Sequence, residues 1–374
     1  MTQLDPLPQD ALPDSIRARF IDGVNDLRMH ILEAGYETPD RPMLLLLHGF
    51  PELAYSWRKV MLPLARAGYH VVAPDQRGYG RTTDWDADFS ADIGPFRMMA
   101  LATDALALVR ALGRSEVAAV IGHDFGSPVA AWCALTRPDV FRSVALMSAP
   151  FSGPPALVRR PAPVRDIHAD LLDLPRPRKH YVWYYSTPEA NADMMESPQG
   201  VHAFLRAYYH MKSADWAGNR PFALKAWSAA ELARLPTYYV MDADADMAAT
   251  VAADMPGAAE IAACQWLTEA ELAVYTREFC RTSFQGGLNW YRGRIDGGNA
   301  GELLFAGRTI DVPSLFIAGR SDWGMHQRPG DLEAMRTRGC SRLAGIALVD
   351  GAGHWVQQEQ PDAVVQLLLD FLRR

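Results

Sequence analysis

The chain lacks a cysteine framework and a long hydrophobic segment. Its cysteines are widely spaced, with no CxxC pair: Cys133, Cys264, Cys280 and Cys340. This pattern predicts reduced, incidental thiols in a cytoplasmic protein. The apolar run Met43–Leu47 is too short to cross a bilayer, and no apolar stretch follows a basic start at the N-terminus. We therefore expect neither a membrane span nor a secretory signal.

Positive charge is also not in excess. The 37 basic and 44 acidic residues give a formal net charge of −7, which gives no reason to expect nucleic acid or an anionic membrane as a partner. A length of 374 residues with 49% hydrophobic and 22% charged content suits a globular protein with one large domain carrying an insertion, or two smaller domains. We expect a monomer or a homodimer.

Short apolar runs alternate with segments of helical spacing in residues 1–148. The predicted helices are Met98–Leu112 and Pro128–Leu135. The predicted strands are Arg28–Glu33, Met43–His48, His70–Asp75, Val117–Gly122 and Val144–Ser148. Because continuously apolar strands are buried on both faces, this alternation predicts a mostly parallel central sheet flanked by helices.

Residues 149–293 are different in character. They contain many aromatic residues, scattered prolines and no obvious buried strand, and helical spacing occurs at Gly200–Lys212 and Glu269–Arg281. Strands are predicted again at Ser314–Ala318 and Ile346–Asp350, followed by a helix at Pro361–Leu372. We therefore predict a core of residues 1–148 and 294–374, interrupted by a helical cap of residues 149–293. Ligand sites usually lie in clefts between such layers.

The segment Gly122–Gly126, GHDFG, lies between a buried strand and a helix. Glycines two residues before and after the central position permit a tight turn that holds the central side chain above the sheet. This is the nucleophile elbow of the α/β-hydrolase fold, with Asp124 in the position usual for serine. The alternative is an aspartate that caps the helix.

The loop after Met43–Leu47 reads HGFPE, from His48 to Glu52. In an α/β-hydrolase this loop supplies one backbone N–H of the oxyanion hole, and the residue after the nucleophile supplies the other. The predicted donors are therefore the N–H groups of Phe50 and Phe125.

An acid and a histidine follow the last two predicted strands. Asp322 comes directly after one, and His354 lies in a Gly-rich loop after the other. The chain order nucleophile, acid, histidine is that of the α/β-hydrolases. We predict His354 as the base and Asp322 as its orienting partner, with Asp311 and Asp331 as alternative acids.

Two further motifs are interpreted as not catalytic. The segment Asp75–Gly80, DQRGYG, is interpreted as a structural turn whose arginine anchors nearby carboxylates or carbonyls. The acidic segment Asp242–Asp246 resembles a calcium loop only superficially, because Met247 and Ala253 stand where such a loop needs glycine and glutamate. We predict no metal and no cofactor.

Taken together, the motifs resemble those of the epoxide hydrolases with an aspartate nucleophile. They run in the family's order over nearly the whole chain beyond residue 20: HGFPE (48–52), DQRGYG (75–80), GHDFG (122–126), LNWYR (288–292), SDWG (321–324) and GHW (353–355). The LNWYR motif is the most specific of them for this family.

The resemblance implies two cap tyrosines that bind the epoxide oxygen. Tyr291 of LNWYR is one, and Tyr181 matches the other best by spacing, with Tyr184 and Tyr185 as rivals. A further set of aromatic residues is expected to line the substrate pocket: Trp183, Tyr184, Tyr185, Trp323 and Trp355. The expected substrates are a small apolar epoxide and water.

The chain departs from the family pattern in two places. Phe125 replaces the tryptophan usual after the nucleophile, which changes the pocket more than the mechanism, since only the backbone N–H is needed. The predicted cap is also enlarged around residues 214–263, a difference that bears on its packing and on the size of the substrate.

The resemblance implies that Asp124 opens the epoxide to form an ester, and that His354 then activates water to release a vicinal diol. A dehalogenase that uses the same triad is the nearest alternative, although Phe125 lacks the indole or guanidinium those enzymes typically carry there. A non-catalytic ligand receptor on the same fold is the more distant alternative.

Overall fold

The computed structural model describes residues 4–157, 166–298 and 300–374. Eight strands form one sheet in the order β1-β2-β4-β3-β5-β6-β9-β10, and β7 pairs with β8 in a separate ribbon. The strands are β1 Arg17–Val24, β2 Leu27–Ala34, β3 Met43–Leu47, β4 His70–Pro74, β5 Ala119–His123, β6 Val144–Met147, β7 Arg178–His180, β8 Val240–Asp242, β9 Ser314–Gly319 and β10 Leu343–Val349.

From β4 to β10 the large sheet is parallel, whereas β1 and β2 join its edge by antiparallel pairing. The central strands β3, β5 and β6 are buried along their full length, because helices cover both faces of a parallel sheet. The predicted parallel sheet is confirmed. Strand β1 was not predicted, because its sequence RARFIDGV mixes charged and apolar residues as an edge strand can.

The α-helices are α1 Arg58–Arg66, α2 Met98–Ala111, α3 Gly126–Thr136, α4 Ile167–Leu172, α5 Tyr181–Tyr184, α6 Glu189–Met195, α7 Gly200–Lys212, α8 Ala229–Leu232, α9 Met247–Ala252, α10 Ala258–Ala263, α11 Glu269–Thr282, α12 Gln285–Ile295, α13 Ala300–Leu303, α14 Asp331–Ala334, α15 Val356–Glu359 and α16 Pro361–Leu372. None within the described ranges is long and apolar enough to cross a membrane.

The segment between β6 and β9 is mostly helical and contains α4 to α13. The sequence shows no obvious buried strand here, but β7 and β8 pair antiparallel in this segment. Each has only three residues, and β7 reads Arg-Lys-His, so no apolar run marks it. The predicted boundary after Gly293 falls inside helix α12.

The parallel register brings the carboxyl ends of six strands, β4, β3, β5, β6, β9 and β10, to one side of the sheet. Leu47 of β3 pairs with Gly122 of β5, and His123 of β5 pairs with Met147 of β6. The loops that leave these strands therefore meet above one edge, where α/β sheets place their ligand sites.

Candidate active site

The turn between β5 and α3 holds Asp124 with a φ of 50°, a left-handed conformation that a non-glycine residue seldom adopts. The flanking glycines make the turn possible. A Cβ on Gly122 would lie 2.1 Å from the Gly126 carbonyl oxygen, and one on Gly126 would lie 2.2 Å from the Leu47 oxygen. The N-cap residue of α3 is Phe125, and the Asp124 carboxylate accepts the Phe50 N–H instead, so its strained position serves something other than capping.

The Asp124 carboxylate lies between the β3 loop and His354. The Phe50 N–H donates to Asp124 Oδ1 at 2.9 Å, and His354 Nε2 lies 3.2 Å from Asp124 Oδ2. Burial alone would raise the pKa of Asp124, but the His354 ring and the charge of Lys212 outweigh it and hold the pKa well below its ordinary value. Asp124 is therefore ionised at neutral pH.

The predicted donor Phe125 is the residue directly before α3. Its ring packs edge-on against Trp290 and Tyr291 of α12, with centroid distances of 5.2 and 5.1 Å. The side chain at this position therefore joins the sheet edge to the helical segment.

His354 is oriented from its other ring nitrogen. Nδ1 lies 3.0 Å from Asp322 Oδ1 and 2.9 Å from the Ser148 hydroxyl. The Gly324 N–H also donates to Asp322 Oδ1, at 2.6 Å. Burial opposes ionisation of Asp322, but these partners outweigh it and lower its pKa. The structure thus brings together Asp124, His354 and Asp322 as the sequence predicted.

The two alternative acids lie elsewhere. Asp311 bonds to the hydroxyls of Thr309 and Ser341 near the surface. Asp331 begins helix α14 and lines the cavity near Asp124 without an ion pair to His354.

Sequence reasoning missed the groups that support the triad. Ser148 follows β6 and bonds to His354, a position that only the register of the sheet brings within reach. Glu359 of α15 accepts N–H groups from Gly353 and Trp355, on either side of His354, at 2.9 Å each. It also accepts the Ala214 N–H at 2.8 Å, so it joins the histidine loop to the end of α7.

A second buried pair lies under the nucleophile. His123 Nδ1 is 2.6 Å from Glu52 Oε2, and His123 Nε2 is 2.7 Å from the His354 carbonyl oxygen. Burial disfavours the charged form of both side chains, but their pairing outweighs burial, raising the pKa of His123 and lowering that of Glu52. A charged pair thus holds the backbone of His354 in place through the His123 ring.

Lys212, the last residue of α7, is buried. Its Nζ lies 5.0, 5.2 and 5.5 Å from the ring centroids of Tyr239, Tyr208 and Trp355, within range of cation–π attraction. Burial lowers its pKa, while the charge of Asp124 opposes that shift. No local sequence signal points to this lysine, because its cage comes from distant segments.

The tyrosines of the helical segment differ in their hydroxyl partners. Tyr181 of α5 donates to Gln327 Oε1 at 3.0 Å, whereas Tyr291 of α12 has no hydrogen-bond partner among the residues the structure describes. The rivals are engaged elsewhere: Tyr184 donates to Asp193 at 2.7 Å and Tyr185 to the Tyr208 hydroxyl at 3.1 Å.

Tyr181 and Tyr291 line one small cavity with Asp124, of about 70 Å³, and their ring centroids are 5.8 Å apart. Burial, with the nearby charge of Asp124, raises the pKa of both hydroxyls above the ordinary tyrosine value. Both therefore keep their protons at neutral pH and can donate hydrogen bonds.

The five aromatic residues expected to line the pocket are not among those that line this cavity. Trp183 packs on His168, and Trp323 packs on Phe222. Trp355 donates its indole N–H to the Tyr209 carbonyl. Tyr184 and Tyr185 are held by the hydroxyl bonds given above. Packing within the helical segment, and against it in the case of Trp323 and Trp355, directs these rings away, and spacing cannot reveal such packing.

The cavity is also less apolar than expected. Charged side chains stand beside its aromatic lining, namely Arg294, Arg328 and Asp331.

The DQRGYG turn is structural, as interpreted. Asp75 accepts the Ala54 and Arg81 N–H groups, each at 2.9 Å. Arg77 forms a bidentate pair with buried Asp104, at 2.7 and 2.8 Å, which fixes the turn against α2.

The sheet order and the turn after β5 define the α/β-hydrolase fold, and a family model described as alpha/beta hydrolase fold matches residues 42–173. Epoxide hydrolase A of Mycobacterium tuberculosis is 36% identical over 359 residues, covering 95% of this chain and 96% of that protein. Epoxide hydrolase B of the same organism is 32% identical, covering 92% and 95%.

Among solved structures, an epoxide hydrolase from an endophytic Streptomyces has a TM-score of 0.77 and 32% identity, and the match covers 96% of each chain. This chain therefore belongs to the epoxide hydrolases of the α/β-hydrolase superfamily, and it is a hydrolase enzyme. The family and the fold inferred from the motifs are confirmed.

Proposed function

We propose that this enzyme opens an epoxide to a vicinal diol through an ester on Asp124. The observation that carries the proposal is the position of the Asp124 carboxylate. It accepts the Phe50 N–H on one oxygen, lies 3.2 Å from His354 on the other, and shares its cavity with two protonated tyrosines. This arrangement supports the proposed roles of nucleophile, base and hydrogen-bond donors around one small space.

In the first step an Asp124 oxygen attacks one ring carbon, and the ring C–O bond breaks. Tyr181 and Tyr291 donate hydrogen bonds to the ring oxygen as its negative charge grows, and one of them transfers its proton. The product is a hydroxyalkyl ester of Asp124. An ionised carboxylate needs no base for this attack.

In the second step His354, oriented by Asp322, takes a proton from water, and the resulting hydroxide attacks the ester carbonyl carbon. The Phe50 and Phe125 N–H groups stabilise the oxyanion. The ester C–O bond breaks, the diol leaves, and the proton held by His354 returns to the tyrosinate. One epoxide and one water are consumed for each diol.

The helical segment of residues 149–293 is proposed to act as a cap. Its support is that Tyr181 and Tyr291 come from helices near either end of this segment, yet line the same cavity as Asp124. The stretch of residues 214–263, which was expected to be enlarged, includes α8, α9 and α10, none of which lines this cavity.

The test uses His354→Gln, which keeps the nucleophile and removes the base. With styrene oxide we expect intact-mass spectrometry to give one added substrate mass, and peptide mapping to locate it on Asp124. The matched control is Asp124→Asn/His354→Gln, which should acquire no mass. If His354→Gln forms no adduct and still makes diol, the covalent mechanism is wrong.

A further inference from the structure

We propose that Arg294 and Arg328 bind an anionic group of the substrate, so that this enzyme prefers epoxides carrying a carboxylate. The inference rests on the proposed function and narrows its substrate class. It replaces the purely apolar epoxide expected from the sequence.

Both arginines stand where a substrate would pass to the nucleophile. The small cavity at Asp124 adjoins an outer cavity of about 550 Å³, and both arginines line both spaces. An epoxide held at Asp124 therefore has its substituent next to two guanidinium groups.

Each arginine also lies close in the chain to one of the two tyrosines or to its hydrogen-bond partner. Arg294 lies three residues after Tyr291 on α12, which places both on one face of that helix. Arg328 directly follows Gln327, which accepts the Tyr181 hydroxyl at 3.0 Å. The charges thus flank the pair proposed to hold the ring oxygen.

Neither guanidinium group has a hydrogen-bond partner in the described part of the chain. Arg328 Nε lies 4.0 Å from Asp331 Oδ2, and the Arg294 guanidinium carbon lies 5.9 Å from the Phe125 ring centroid. By contrast, Arg77 and Arg97 make two hydrogen bonds each to one carboxylate. Both arginines are exposed to solvent, so their N–H donors are not taken up by the fold and are accessible to a ligand.

The local charge favours an anion. Three guanidinium groups line the outer cavity, those of Arg294, Arg328 and Arg338, against the carboxyl groups of Asp331 and Glu302. Burial raises the pKa of both acids. Partial desolvation and then repulsion from Arg294 lower the pKa of Arg328, although its side chain is still 55% exposed. A carboxylate bound between the two arginines would relieve that repulsion, and guanidinium matches carboxylate geometry in a bidentate manner.

The test compares rigid substrates that differ only in charge, 4-(oxiran-2-yl)benzoate with its primary amide and the corresponding meta pair. At low ionic strength we expect kcat/KM for at least one carboxylate to exceed that for its amide by about tenfold or more. Arg294→Gln and Arg328→Gln should each lower the carboxylate value about tenfold and leave the amide value within twofold. Arg320→Gln, an exposed arginine paired with Asp350, is the control and should change neither.

Equal efficiency for acid and amide in both pairs would overturn the inference, as would variants that lower both members of a pair equally. Styrene oxide separates this failure from failure of the proposed function. If the wild-type enzyme hydrolyses styrene oxide without preferring either acid, only the arginine site is wrong. If it makes diol from none of these epoxides, the proposed function fails.

Discussion

The carboxyl ends of the parallel strands, called the sheet edge here, and the helical segment hold their polar groups in different ways. At the sheet edge, Asp124 and Asp322 accept backbone N–H groups, and His354 lies between them with a hydroxyl from Ser148 as a further partner. On the helical side Tyr181 has one side-chain partner, and Tyr291 has none among the described residues.

The difference separates two tasks. In the proposed mechanism, the groups that act on the ester do the same chemistry for every substrate, so they gain from being fixed before binding. Groups that meet the ring and its substituent need free donors, because each hydrogen bond they offer must be available to the ligand. The comparison therefore predicts that substitutions at the carboxyl ends of the strands abolish turnover. Substitutions on the helical side should lower turnover by an amount that depends on the substrate.

Asp124→Asn removes the proposed nucleophile and should have the largest effect. We expect diol formation to fall about 10⁴-fold or more, with no ester detected by mass spectrometry. Asp311→Asn, at the alternative acid, is the matched control and should keep wild-type activity. Assays must be short and followed by peptide mapping, because deamidation of the new amide restores aspartate. Substantial turnover without deamidation would place the nucleophile elsewhere.

Loss of the hydroxyls on the helical side should have an intermediate effect. We expect Tyr291→Phe and Tyr181→Phe each to slow ester formation about 10- to 100-fold, since one donor to a growing charge is lost. Tyr185→Phe, which only breaks the bond to Tyr208, should change the rate a few-fold at most. Single-turnover kinetics measures the step directly. A larger loss in Tyr185→Phe than in Tyr181→Phe would reassign the second donor.

Substitution of Glu33 should have the smallest effect, and it should change the stability of the fold rather than catalysis. Burial opposes its ionisation, but hydrogen bonds from His70, Arg19 and Arg17 outweigh that and lower the pKa to about 2. Because the folded-state pKa lies below the unfolded one, the stabilisation is complete above about pH 5 and is lost as the pH falls toward 2.

Glu33→Gln should therefore lower the free energy of unfolding at pH 7 and weaken its dependence on pH between 5 and 2, as measured by urea unfolding at several pH values. Glu37→Gln, at an exposed position nearby, is the control. A variant whose stability falls with acid as steeply as that of the wild type would assign the acid sensitivity to other carboxylates.

Much of the sheet and the triad could be predicted because their signals are local. Five residues around Asp124 encode the turn, and the apolar runs of β3 and β5 mark buried strands. The short ribbon of β7 and β8 carries no such run, so it escaped prediction. Trp183 and Tyr185 were expected in the pocket because they are aromatic residues, but residue type does not determine the direction in which a side chain points.

By itself, the sequence determined the family, the sheet and the chain order of Asp124, Asp322 and His354, because glycine turns and apolar runs act within a few residues. Only the tertiary structure brought Ser148 next to His354, put Tyr181 rather than Tyr184 or Tyr185 on the cavity at Asp124, and added Arg294 and Arg328 to the lining of that cavity. Those relations depend on side-chain packing between segments more than thirty residues apart, where the position of each group is decided by all of its neighbours together.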